Sequence, residues 1–175
     1  VCDLKVIDAS GETLGPNELG ELCVRGPNVV EGYWNKPEAT QETFGGGWLR
    51  TGDIARIDED GFIYLVDRLK DMVIRGGENV YCAEVEAALF EHPDVSDAAV
   101  IGVPHKVLGE EVGAVILLRA GTKTTVESIQ DHVRERLAVF KVPTHVWFYE
   151  KAEFPRNPAG KVMKRELKED LLADS

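Results

Sequence analysis

Cysteine is scarce in this 175-residue sequence: Cys2, Cys23 and Cys82 are odd in number, far apart and form no C-x-x-C pair. That pattern argues against a disulfide framework and against a zinc site, and it fits a reducing compartment, so a cytoplasmic location is expected. An excess of basic charge is missing as well. Twenty Lys and Arg against 31 Asp and Glu give a formal net charge of -11, whereas a sequence-independent grip on nucleic acid or anionic lipid needs a basic surface. Nucleic acid is therefore not an expected partner, and small anionic ligands remain open wherever basic residues are locally placed. No stretch approaches the roughly 20 apolar residues of a membrane span, so no transmembrane segment is expected. The amino terminus has neither a signal-peptide layout nor a methionine, and a piece of a longer chain is the expectation. Internal repeats and low-complexity tracts are absent too.

What is present suffices for a core: 43% of the residues are apolar, enough for one domain or two small ones. Up to about residue 67 the chain reads as short strands, Leu4 to Ile7, Glu21 to Arg25, Ile54 to Ile57 and Phe62 to Val66. Asp60-Gly61 marks a hairpin between the last two, because glycine accepts the positive φ of such turns. The pattern then changes. Val85, Ala88 and Leu89 lie at helical spacing within 83–91, and Pro93 stops the helix. Two β-branched runs follow, Ala98 to Val103, closed by Pro104, and Val112 to Leu118, closed by Gly121. Ser128 to Leu137 places Ile129, Val133 and Leu137 on one apolar stripe against that sheet, with Thr124 or Thr125 as N-cap. His145 to Tyr149 reads as a strand and Lys164 to Leu172 as a terminal helix, entered from the irregular segment 154–161. The expected class is α+β: a small β-rich subdomain over 1–68, then a compact α+β domain over 69–175.

Four places can carry chemistry, and each has a plainer explanation. Asp53 ends Trp48-Leu49-Arg50-Thr51-Gly52-Asp53, where its carboxylate could accept two hydrogen bonds from a vicinal diol, or could serve only the turn. Arg68 follows the strand ending at Val66, and its planar fork could reach a ribose or phosphate near Asp53, or form an ordinary salt bridge. Arg75-Gly76-Gly77-Glu78-Asn79 suits close backbone approach to a ligand as well as a tight turn. Lys161, after Pro158-Ala159-Gly160, is a flexible cation on a mobile loop, able to face developing charge on a phosphate or simply to sit in water. Singly these pieces decide nothing.

Their order and spacing are more specific. Gly20-Glu21-Leu22-Cys23-Val24-Arg25-Gly26-Pro27, Gly32-Tyr33-Trp34, Thr51-Gly52-Asp53, Asp67-Arg68-Leu69-Lys70-Asp71, Gly76-Gly77-Glu78-Asn79 and Gly160-Lys161 resemble the late motifs of adenylate-forming enzymes, in the right order over nearly the whole chain. That superfamily includes acyl-CoA synthetases, peptide-synthetase adenylation domains and beetle luciferases. The resemblance implies that Asp53 binds the ribose hydroxyls of ATP and that Arg68 also contacts the nucleotide. It further implies that Lys70 is a hinge, that Lys161 stabilises formation of an acyl-adenylate from a carboxylic acid and ATP, and that Gly76, Gly77 and Glu78 line the CoA channel for thioester formation. Residues 1–68 would then end a large amino-terminal domain. That domain would supply the phosphate loop, the acyl pocket and the glutamate that binds Mg2+, so that no metal site is expected here and these residues should not form acyl-adenylate alone.

One departure is visible. Luciferase-like members carry a second lysine four residues beyond the hinge lysine, where this sequence has Ile74. That favours a plain ligase, with a fatty acid or related acid as substrate. Two alternatives stay open: an adenylation domain of a peptide-synthetase-like enzyme, followed by a carrier domain, and a non-catalytic domain binding CoA, nucleotide or a protein partner.

Overall fold

The computed structural model describes residues 1–173. They form two compact units, divided between Lys70 and Asp71. The first is built on an antiparallel sheet and the second on a mostly antiparallel one, and the class is α+β.

In the first unit, β1 (Asp3–Ile7), β2 (Gly20–Arg25), β3 (Leu49–Ile57) and β4 (Ile63–Arg68) pair in chain order as one antiparallel sheet. Only β3 and β4 are joined by a short turn, residues 58–62, whereas residues 8–19 and 26–48 make the longer connections from β1 to β2 and from β2 to β3. At Asp60-Gly61 the Asp58 side chain accepts from the backbone N–H groups of Asp60 (3.1 Å) and Phe62 (2.8 Å), which fixes the expected hairpin. The core is small: Val6, Leu22 and Ala55 are buried, with Leu14, Val24 and Ile57 packed around them. β4 contributes little to it: Ile63, Tyr64 and Leu65 are exposed along this outer strand, as is Phe62 just before it. The sequence reading did not anticipate α1 (Pro37–Phe44). None of its residues is buried, so no apolar stripe betrays it, although Pro37 at its first position is a recognisable start signal.

The second unit is a sheet covered by helices on both faces. Its strands are β5 (Val73–Arg75), β6 (Glu78–Val80), β7 (Val95–His105), β8 (Gly109–Leu118) and β9 (His145–Phe148). The order is β6-β5-β8-β7, with β9 added parallel to β8. Alternation along β7 and β8 sorts two cores. Ala98, Val100, Val112, Ala114 and Ile116 share one with residues of α2 (Cys82–Phe90) and α3 (Val126–Arg134). Ala99, Ile101 and Val115 share the other with Phe154 and with Leu167 of α4 (Lys164–Ala173). Period-two side-chain direction makes this split unavoidable for strands buried on both faces.

Thr125 is the N-cap of α3, its hydroxyl accepting from Ser128 N–H at 3.2 Å. The expected end of the first β-branched run at Pro104 is corrected: β7 continues to His105, with Pro104 opposite Glu110. β7 is an outer strand, where a residue without an N–H forfeits no ladder bond.

Candidate functional site

Asp53 and Arg68 face each other across β3 and β4 as register partners. The pairing slips by one residue immediately beyond them, between Ile54 and Ala55, a bulge that re-aims side chains at a strand end. Arg68 Nε lies 3.0 Å from Asp53 Oδ1. Both side chains keep solvent access, and among the described residues Asp53 Oδ2 and the two Arg68 Nη groups have no further partner. The backbone before Asp53 is held from beneath: buried Glu21 accepts from Gly52 N–H at 3.2 Å and from Arg50 Nε at 3.1 Å. Thr51 Oγ1 donates to the Leu22 carbonyl and accepts from Asp53 N–H. Glu21 is a residue that sequence reasoning missed as a support. Its only signal was an acidic residue at a strand position otherwise apolar.

Lys70, the last residue of the first unit, is exposed in the short 3-10 turn Leu69–Asp71.

Gly76 and Gly77 form the two-residue loop of the β5–β6 hairpin, with φ of 60° and 91°. Positive φ at both positions is what a type I′ hairpin turn demands, and glycine meets it without strain. Glu78 sits opposite Arg75 at the first position after the turn. This hairpin rests on the tip of the β7–β8 pair: Gly76 N–H donates to the Leu108 carbonyl at 2.8 Å, and Ile74 N–H reaches Glu110 Oε2 at 3.3 Å. Arg75 lies 3.8 Å from Glu111, which also meets His145 at 3.1 Å.

Lys161 is exposed on a turn with more internal structure than its composition suggests. Asn157 Oδ1 accepts from the N–H groups of Ala159 and Lys161, both at 3.0 Å, and Asn157 N–H donates to the Lys161 carbonyl at 2.9 Å. Arg156 and Val162 close the base as an isolated bridge. Among the described residues no acid pairs with the Lys161 ammonium, whereas Lys141 is tied to Glu84 at 2.5 Å and Lys164 to Glu86 at 2.7 Å. The arrangement fixes the backbone and leaves the charge unclaimed. No hydrogen bond or ion pair among the described residues joins this turn to the Gly76-Gly77 hairpin. No group of three or more His, Cys, Asp or Glu with metal-binding proximity occurs among the described residues, and no described helix is long and apolar enough to cross a membrane.

Residues 84–161 match the family described as AMP-binding enzyme C-terminal domain. The chain is 48% identical over 168 residues to a 2-succinylbenzoate–CoA ligase of Geobacillus kaustophilus, covering 96% of this chain and 33% of that protein. It is 44% identical over 163 residues to a long-chain-fatty-acid–CoA ligase of Bacillus subtilis, covering 93% of this chain and 29% of the relative. Among solved structures, ATP-bound MatB from Rhodopseudomonas palustris superposes with a TM-score of 0.89 at 39% identity, over 97% of this chain and 34% of that one. The chain thus spans about a third of the length of the curated relatives it matches.

Proposed function

Because this chain belongs to the adenylate-forming acyl-CoA synthetase superfamily and carries its C-terminal domain, we propose that it serves an AMP-forming acid–thiol ligase. In the first half-reaction a carboxylate attacks the α-phosphorus of ATP, giving acyl-adenylate and pyrophosphate. In the second, the CoA thiol displaces AMP.

Asp53 would accept from the ribose hydroxyls through its free oxygen while Arg68 holds the other and turns its Nη groups to the nucleotide. The fit is chemical: a diol offers two donors, and a carboxylate has acceptor capacity left after one ion pair. Lys161 would neutralise part of the charge that builds on the oxygens around phosphorus. Gly76 and Gly77, with Glu78, would border the passage for the pantetheine thiol. Residues 1–68 and 69–175 would act as the end of a large domain and as a mobile domain turning at Lys70, so that one active centre serves two reactions in succession. Magnesium would be held outside these residues and would offset phosphate charge there.

The observation that carries this reading is Lys161: a cation with fixed backbone and unclaimed charge. A fatty acid is proposed as substrate. The likeness to a long-chain-fatty-acid–CoA ligase supports it, and the stronger likeness to an aromatic-acid ligase makes aryl acids the first competitor to include.

The test uses the full-length protein that contains this chain. Lys161→Ala is expected to lower ATP–pyrophosphate exchange by roughly a hundredfold or more, while thioester formation from supplied acyl-adenylate persists. Gly77→Trp should do the reverse, with circular dichroism checking the fold. Undiminished exchange in Lys161→Ala would remove the role given to that lysine.

A further inference from the structure

The turn that presents Lys161 is anchored at both ends by ion pairs that reach far back in the sequence. On the entering side, the Arg156 guanidinium pairs with Asp97 of β7 through Nη2 and donates to the Gly160 carbonyl through Nη1 at 2.7 Å. That carbonyl belongs to the peptide whose nitrogen is Lys161. Asp97 is itself fixed, its other oxygen accepting from Ala98 N–H at 3.0 Å. On the leaving side, Lys164 opens α4 and meets Glu86 of α2 at 2.7 Å, and the same Glu86 oxygen accepts from Val100 N–H of β7 at 2.8 Å. Burial opposes the Lys164 charge, yet the neighbouring Glu86, with Cys82 and Asp71, outweighs it and raises the pKa above the ordinary lysine value.

The apolar attachment of this segment lies elsewhere. Phe154, two residues before Arg156, is 3% exposed, and Leu167, three residues after Lys164, is fully buried. Those two side chains hold the segment on the sheet but, being apolar, do not hydrogen-bond the peptide between Gly160 and Lys161. Among the described residues, the Arg156 guanidinium and the Asn157 amide oxygen are the side-chain groups that hydrogen-bond that peptide. A fork with two separated N–H directions can bind a carboxylate and a carbonyl at once, which a lysine cannot reproduce.

We propose that Arg156 and Asp97 are positioning residues for Lys161, with the Lys164–Glu86 pair as a second anchor, and that they set the direction of its ammonium during adenylate formation. This rests on the role assigned to Lys161 above. Displacement of about an ångström at a reacting group is enough for a large loss of rate, so the effect should fall on the rate constant and not on nucleotide affinity.

In the full-length protein, Arg156→Ala and Asp97→Ala are each expected to lower kcat for ATP–pyrophosphate exchange by roughly ten- to a hundredfold. KM for ATP should stay unchanged, as should thioester formation from supplied acyl-adenylate. The double variant should lose no more than the worse single one, since both belong to one unit, and Arg156→Lys should recover only part. A rise in KM for ATP would overturn the proposal by making Arg156 a ligand contact. Equal losses in both half-reactions would overturn it by making the pair merely structural. Unchanged exchange in both variants, alongside a Lys161→Ala variant that has lost it, would overturn it while sparing the role of Lys161. If Lys161→Ala retains exchange, the function reading fails first and this inference with it.

Discussion

At the level of single residues, the acidic pH response should trace to His92. It is 5% exposed, its Nδ1 accepts from Asp94 N–H at 3.2 Å, and its Nε2 lies 3.3 Å from Ser128 Oγ. Burial lowers its pKa, the charge of His132 at a ring distance of 4.9 Å lowers it further, and Arg136 adds to this while Asp94 opposes. The folded protein therefore binds this proton less readily than the unfolded chain. Stability should be constant above the unfolded value near 6.5, fall as pH drops from there toward the depressed folded value, and level off below it. Urea midpoints measured between about pH 8 and pH 5 should show that decline, and His92→Asn should flatten it. Two further side chains give magnitudes. Thr125→Ala should cost about 1 kcal/mol through the lost cap, and Leu167→Ala about 2–5 kcal/mol through the cavity it leaves, both readable by chemical denaturation. Thr125 was legible because capping is local. Glu21, Asp97 and Glu86 were not, because each acts on a residue tens of positions away that only the folded sheet brings near.

Among the elements, legibility followed burial. β7 and β8 announce themselves as apolar runs rich in Val and Ile because both faces are covered. α1 and β6 do not, the first for want of any buried residue and the second for being three residues long. The Asp53–Arg68 juxtaposition was foreseeable from a hairpin joining their strands, but the bulge beside it was not. The short turn at Leu69–Asp71 is the element with the largest expected functional leverage. A proline fixes φ and removes an N–H, so Lys70→Pro in the full-length protein should hold one arrangement. Exchange and thioester formation, assayed separately, should then diverge, with one near the parent rate and the other lost. Parallel changes in both would count against a hinge at this position.

For the molecule as a whole, the chain produced alone is expected to show no ATP–pyrophosphate exchange with any acid offered, because the groups proposed to cradle the triphosphate and metal are not among these residues. Measurable exchange would overturn that expectation. The exposed end strand β4 has a consequence for such an experiment: Ile63, Tyr64 and Leu65, with Phe62 just before them, present apolar side chains at the end of the sheet, a template for association between copies. Concentration-dependent sedimentation should reveal it, and Leu65→Lys should suppress it. The anchors of Lys161 point in another direction. Asn157, Arg156, Asp97, Lys164, Glu86, Phe154 and Leu167 all belong to the second unit. If that unit turns between half-reactions, it carries the ammonium together with everything that aims it. Each return then requires no fresh search, within that unit, for the direction in which the ammonium points.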